Sequence, residues 1–147
     1  MKMAADLEVS EYRALAEFRA RLRRFLQFSE RAAREAGIEP QQHQLLLAIK
    51  GLPEDARPTI RELAGRMLLK HHSTVELINR LERRGAVART QSQDDAREVL
   101  IRLTRTGDAI LRRLTLAHRQ ELETTGPELA RALKAAIRKS RPSRKAA

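Results

Sequence analysis

Cysteine and tryptophan are absent from the 147-residue chain, and aromatic residues make up only 3%: Tyr12, Phe18, Phe25 and Phe28. The lack of cysteine excludes disulfides, thiolate catalysis, Cys-ligated zinc and thiol-based redox sensing. With so few aromatics, a core must be built from Leu, Ile, Val and Ala. That composition suits helices packed on helices and disfavours a large sandwich or barrel. No apolar run approaches the roughly 18 residues of a membrane span. The first residues lack an apolar leader segment, and Asp6, Glu8 and Glu11 lie where a leader avoids acid. A cytoplasmic location without membrane attachment is the expectation.

What is present is ample apolar and charged material, 41% and 33%. One domain, or one with a small appendage, fits this length. The net charge is +11. It is unevenly spread: residues 127–147 carry seven basic groups against one acidic, and residues 59–105 carry ten against six. Residues 1–58, with ten against nine, are nearly balanced. A basic excess points to a polyanionic partner, usually nucleic acid, although a basic tail is often only a solubilising end.

Periodicity organises the chain. Ser10 is placed to cap a first helix of about 26 residues, roughly 39 Å long. Its apolar face is Leu15, Phe18, Leu22, Phe25, Leu26, Ala32 and Ala33, and Gly37 closes it. Pro40 opens a second helix with Leu45, Leu46, Leu47 and Ile49, which Gly51 ends. Residues 51–58, GLPEDARP, form a loop. Thr59-Ile60-Arg61-Glu62 reads as a capping box for a third helix carrying Ile60, Leu63, Ala64 and Met67 inward. A break at Leu68–Lys70 leads to a fourth helix from His71 to Arg84, stopped by Gly85. Ala86–Thr90 and Glu98–Leu103 are strand candidates around the polar turn QSQDDA, the second alternating Val99, Ile101 and Leu103 with Leu100 and Arg102. Thr104 caps a fifth helix with Ile110, Leu111, Leu114, Leu116 and Leu122. Thr125-Gly126-Pro127 is expected to end it, and a sixth helix holds Leu129, Leu133 and Ile137. The basic residues 141–147 are expected to be disordered.

Helix, tight turn, helix and hairpin over residues 59–103 make a winged helix-turn-helix. In the fourth helix, Thr74, Leu77, Ile78 and Leu81 form a back face for docking. His72, Ser73, Glu76, Asn79, Arg80 and Arg83 then form a polar front, narrow enough for a major groove about 12 Å wide. Ser73 and His72 can reach base edges or phosphates, Glu76 can accept from a cytosine amine, and Asn79 and Arg80 lie closer to phosphate. Arg97 at the hairpin tip is placed to enter a minor groove.

The segment TIRELAGRMLLKHHSTVELINRLERRGAVAR, the wing QSQDDAREVLIRLT and the following TRTGDAILRRL together resemble the MarR family of bacterial transcriptional regulators. The resemblance covers roughly residues 44–118. It implies a mainly α fold with a small β-hairpin wing, a winged helix-turn-helix at 40–103 and a helical dimerisation region at 10–36 and 104–140. It implies a homodimer, and a repressor whose hold on a pseudo-palindromic operator weakens when a small aromatic or phenolic effector binds. It also assigns Asp95-Ala96-Arg97 to the wing, with Arg97 in the minor groove and Asp95 orienting it. The chain departs from the family pattern at Lys70-His71, where many members have Ser-Pro, and at Ala96, where a basic residue is frequent.

The candidate DNA-contacting residues are thus Thr59, Arg61, His71, His72, Ser73, Glu76, Asn79, Arg80, Arg89, Asp95 and Arg97. Phe18, Phe25 and His43 are candidate effector contacts, against the plainer reading of Phe18, Phe25 and Phe28 as core or dimer packing. No cofactor or metal is expected: His71 and His72 are adjacent and share no helix face, and only Glu76 lies one turn from His72. The RARLRR stretch is interleaved with Glu17, Glu30 and Glu35, against membrane-surface binding. No paired carboxylates, nucleophile–base set or Gly-rich phosphate loop points to an enzyme. The rival reading is a non-specific basic architectural protein, which the charged tail favours and the ordered front face of the fourth helix disfavours.

Overall fold

The computed structural model describes residues 6–138. Its elements are α1 (Val9–Glu35), α2 (Pro40–Lys50), α3 (Ile60–Met67), α4 (His71–Arg83), β1 (Val87–Gln91), β2 (Val99–Leu103) and α5 (Arg105–Ile137). They divide into two compact units, one of residues 29–117 and one of residues 6–28 with 118–138. The division falls inside α1 and α5 and not at residues 36 and 104, because Ala33, Leu111 and Leu114 are buried in the same cluster as α2, α3 and α4. The expected basic tail, 141–147, lies outside the described residues. No helix among the described residues is long and apolar enough to cross a membrane.

The larger unit is a winged helix-turn-helix. Its core is aliphatic, as the shortage of aromatics requires: Leu45, Leu46, Leu63, Ile78, Leu81, Ile101 and Leu114 are fully enclosed. Each such side chain contributes about 1.5–3 kcal/mol through burial. Leu47, one of the apolar residues of α2, is 42% exposed.

Three helices stop in the same way. After α1, α3 and α4 the amides of Ile38, Leu69 and Ala86 reach back five residues to the carbonyls of Ala33, Ala64 and Leu81, at 3.1, 3.0 and 2.9 Å. This closure requires a left-handed residue just before the donor. Gly37 and Gly85 supply it with φ of +81° and +75°, whereas the α3–α4 turn uses Leu68 at φ 53°. Leu68 is also 91% exposed.

β1 and β2 pair antiparallel, from Val87 opposite Leu103 to Gln91 opposite Val99. β1 starts one residue later than the sequence suggests, because the Ala86 amide is used to close α4. The backbone before α3 runs beside β2: Thr59 bridges to Leu100, and the Ile101 amide donates to the Pro58 carbonyl at 2.8 Å.

The start of α5 is clamped onto the end of α4. Thr104 donates its hydroxyl to the Gly85 carbonyl at 2.5 Å and its amide to the Ala86 carbonyl at 3.0 Å. Its hydroxyl also accepts the Gly107 amide at 3.1 Å, capping α5 as the sequence predicts. A Cβ at Gly107 would lie 2.0 Å from the Ala86 carbonyl oxygen, so only glycine fits.

The smaller unit corrects two expectations. α1 begins at Val9, so Ser10 is a first-turn residue; the Glu11 carboxylate accepts the Glu8 amide at 2.8 Å instead. α5 is continuous through Pro127, where two helices were expected. An interior proline costs about 3 kcal/mol, but Gly126 before it has no Cβ to collide with the proline ring. Thr124 and Thr125 donate their hydroxyls back to the Gln120 and Glu121 carbonyls, at 3.4 and 2.9 Å. Just beyond the proline, Glu128 binds Arg21, which also donates to Glu17 at 2.8 Å. The Glu17 hydrogen bond, then the Glu128 charge, raise the Arg21 pKa above its already high ordinary value.

Two glycines separate packing from backbone effects. Gly107→Ala is expected to lower unfolding stability by about 1–3 kcal/mol through collision with Ala86. Gly65→Ala, on an exposed site with open space around it, is expected to raise it by about 0.5–1 kcal/mol. Urea midpoints of the two variants check both signs.

Candidate nucleic-acid interface

α4 presents two faces, as its spacing predicts. Thr74, Leu77, Ile78 and Leu81 are buried. His71, His72, Glu76, Arg80 and Arg83 are exposed, and Ser73 and Asn79 are half-buried. At its N-terminus, Lys70 provides no side-chain cap. The Thr74 amide and hydroxyl both donate to the Lys70 carbonyl at 3.0 Å. The first turn of α4 therefore presents its positive end without a carboxylate or hydroxyl over it, a setting that favours a phosphate oxygen.

α3 is begun by Thr59, whose Oγ1 accepts the Glu62 amide at 3.1 Å. Only this half of the predicted capping box forms, because the Glu62 carboxylate turns to the Arg66 guanidinium at 3.0 Å. Arg61, one turn nearer the helix start, is exposed.

Two candidates from the sequence, Asn79 and Arg89, are joined to each other. Arg89 in β1 donates to Asn79 Oδ1 at 2.7 Å and to Glu82 Oε1 at 2.6 Å. This ties the wing's first strand to the middle of α4. Among the described residues Arg61, Arg80 and Arg97 have no ion-pair partner. Arg80 and Arg97, with Arg61, are among the cations left open for phosphate or a groove.

The wing tip is a built turn. The Ser92 amide donates to the Glu98 carbonyl at 2.9 Å, and the Glu98 amide to the Asp95 carbonyl at 3.0 Å. Ser92 Oγ accepts the amides of Asp94 and Asp95 at 3.2 and 3.4 Å. Asp95 orients Arg97 through the backbone: its carboxylate accepts the Arg97 amide at 2.9 Å. Sequence reasoning missed Arg57. Its guanidinium donates to Ser92 Oγ at 2.6 Å and lies 2.9 Å from Glu98 Oε1, a charge contact whose N–H is not aligned on the oxygen. The signal was available as the one cation of a loop facing an acidic turn.

The three effector candidates are dispersed between the units. His43 is buried in α2, in the larger unit. Phe18 and Phe25 are half-buried on α1 in the smaller one. Phe25 and Phe28 meet the His118 ring edge-on, with centroids 6.0 and 5.3 Å apart. Beside Phe25, Arg21, Arg24, Glu121, Thr125 and Leu129 enclose about 50 Å³. That is room for water but not for an aromatic ring. An open groove of about 780 Å³ lies on the larger unit between the α2–α3 loop, β2 and the start of α5, where Lys50 pairs with Asp108 at 2.8 Å. Among the described residues no group of three or more His, Asp or Glu side chains is placed to hold a metal ion.

Residues 36–98, which contain the helix-turn-helix and most of the wing, match a family model described as the MarR family. Over this region the chain is similar to the MarR family. Solved structures of transcriptional regulators share the fold, AbsC among them described as of the MarR family. AbsC of Streptomyces coelicolor is 19% identical, with 86% of this chain and 84% of that one covered and a TM-score of 0.70. MepR of Staphylococcus aureus, in a complex with DNA, is 22% identical, with 80% and 93% covered and a TM-score of 0.59. MosR of M. tuberculosis, also with DNA, is 26% identical, with 79% and 86% covered and a TM-score of 0.57. No curated protein matches the chain by sequence. MarR proteins are transcription regulators, not enzymes.

Thr59 serves α3 as its cap and β2 as a bridge partner. Thr59→Ala is expected to cost about 1 kcal/mol of stability, and Thr59→Ser to recover most of it. Thermal unfolding of both variants checks the pair.

Proposed function

We propose that the chain is a cytoplasmic homodimer that binds a pseudo-palindromic operator in double-stranded DNA, with half-sites about one helical turn apart. Its regulatory sense is repression relieved by a small aromatic or phenolic molecule. The observation that carries the DNA-binding reading is the division of α4. Four buried side chains fix one face, and His72, Ser73 and Glu76 are left on the other, beside a wing with Arg97 unpaired. The DNA complexes of MepR and MosR support the same use of the fold.

The dimer reading rests on the smaller unit. Leu7, Val9, Tyr12 and Leu15 are 54–62% exposed, and Ile137 on α5 is 68% exposed. An isolated chain would leave these large apolar side chains in water, a feature typical of an unmade interface. Light scattering is expected to give twice the chain mass of 16.8 kDa. The effector reading rests on the resemblance to the family. A contact at Phe25 requires side-chain movement, given the space there.

The deciding experiment measures binding to the DNA upstream of the protein's own coding region, at physiological salt and against excess unrelated duplex. Discrimination of about a thousandfold or more is expected for a specific regulator. Equal binding to both duplexes with a steep salt slope would replace this reading with a non-specific architectural one. Arg97→Ala is expected to weaken operator binding by about 1–3 kcal/mol; an unchanged affinity would remove Arg97 from the interface.

A further inference from the structure

Arg57 joins two segments that have no other side-chain link among the hydrogen bonds and ion pairs described above. Its own backbone is fixed from below. Pro58 accepts the Ile101 amide at 2.8 Å, and Thr59 bridges to Leu100, so the residue beside Arg57 is pinned to the part of β2 that follows the turn. Its side chain then reaches into the adjoining turn. There Nη2 donates to Ser92 Oγ at 2.6 Å and lies 3.8 Å from Asp94 Oδ2, while Nη1 lies 2.9 Å from Glu98 Oε1. Ser92 is only 5% exposed, so the guanidinium closes over a buried hydroxyl.

From that hydroxyl a chain of bonds leads to Arg97. Ser92 Oγ accepts the amides of Asp94 and Asp95, and the Asp95 carboxylate accepts the Arg97 amide. Arg57 thus acts on the backbone that aims Arg97 while standing outside the tip itself. Its charge matters as well. Residues 92–98 carry Asp94, Asp95 and Glu98 against the single cation Arg97. An acidic turn brought against a phosphate backbone is repelled unless something neutralises it. Arg57 is the cation in contact with two of those three carboxylates.

We infer that Arg57 is a positioning residue for the wing, holding the tip in the conformation from which Arg97 engages DNA and neutralising the acids on either side of it. The inference rests on the DNA-binding reading above for its readout on DNA, but the latch itself is a property of the free protein.

The test uses the full chain and a duplex of about 30 base pairs that the wild-type protein selects from a random-sequence pool. Arg57→Ala is expected to weaken binding about tenfold, through loss of the bond to Ser92 and of the charge contacts with Asp94 and Glu98. In an Arg97→Ala background the same change is expected to cost only about threefold, the share due to the acids left unneutralised, because the positioning share acts through Arg97. An equal loss in both backgrounds overturns the inference and makes Arg57 a direct phosphate contact. Arg57→Lys keeps the charge and loses the planar fork, so it is expected to bind within about threefold of Arg57→Ala. Full rescue by lysine overturns the positioning role in favour of charge alone. In the free protein, amide hydrogen exchange over residues 92–98 is expected to be about tenfold faster in Arg57→Ala than in wild type. Unchanged exchange there overturns the latch whatever the DNA result. If the pool yields no preferred duplex, the DNA-binding reading fails, and the exchange measurement decides the latch by itself.

Discussion

The winged-helix unit depends on the junction at residues 85–86 and 104–107. Gly85 and Ala86 end α4, and Thr104 takes both of their carbonyls while capping α5. Gly107 lets the two backbones approach within a distance that no Cβ allows. Because β1 leaves from Ala86 and β2 returns to Thr104, the same few atoms also set the base of the hairpin. The position of α4, the root of the wing and the first turn of α5 are therefore one geometric fact. The clamp is made of backbone and one hydroxyl, so it does not depend on the charge state of any side chain.

Above that base the wing is held in two ways. Arg89 ties β1 to α4 through Asn79 and Glu82, and Arg57 ties the tip to the loop before α3. Both ties are arginines between acidic or amide acceptors on exposed or half-exposed sites. Such bonds direct a side chain more than they stabilise a fold. In this chain the arginine excess divides into two groups: those that brace the DNA-reading elements from behind, and those, such as Arg80 and Arg97, that stand open.

Much of this was legible in the sequence, for identifiable reasons. Apolar spacing at three and four residues placed α4 and its buried face, since Thr74, Leu77, Ile78 and Leu81 leave no other arrangement. Gly37, Gly85, Pro40 and Thr59 marked helix ends by local chemistry that tertiary contacts did not override. Local chemistry failed at Pro127, where Gly126 offers the proline ring no Cβ to collide with and the helix runs on. It failed again at Glu62, whose carboxylate had two partners within reach and took Arg66. The unit boundary inside α1 and α5 was not legible because one amphipathic helix can serve two cores with a single unbroken stripe. Arg57 was not legible because its partners are 35 to 41 residues away and no periodicity links a loop to a hairpin turn.

Leu68 shows what kind of object the DNA-reading part is. It holds a left-handed backbone that an L-residue resists, with its side chain in water, and only the backbone bonds that close α3 offset this locally. The flanking helices add little autonomy, since α3 has eight residues and α4 starts without a side-chain cap. Helices this short do not persist in water without tertiary support. Excised as a peptide, residues 59–84 would relax first at Leu68 and lose the angle between α3 and α4. Reading DNA is therefore not a portable property of the recognition helix: grafted onto another scaffold without the Leu45–Leu46–Leu63 floor beneath it, the same side chains would have no fixed bearing.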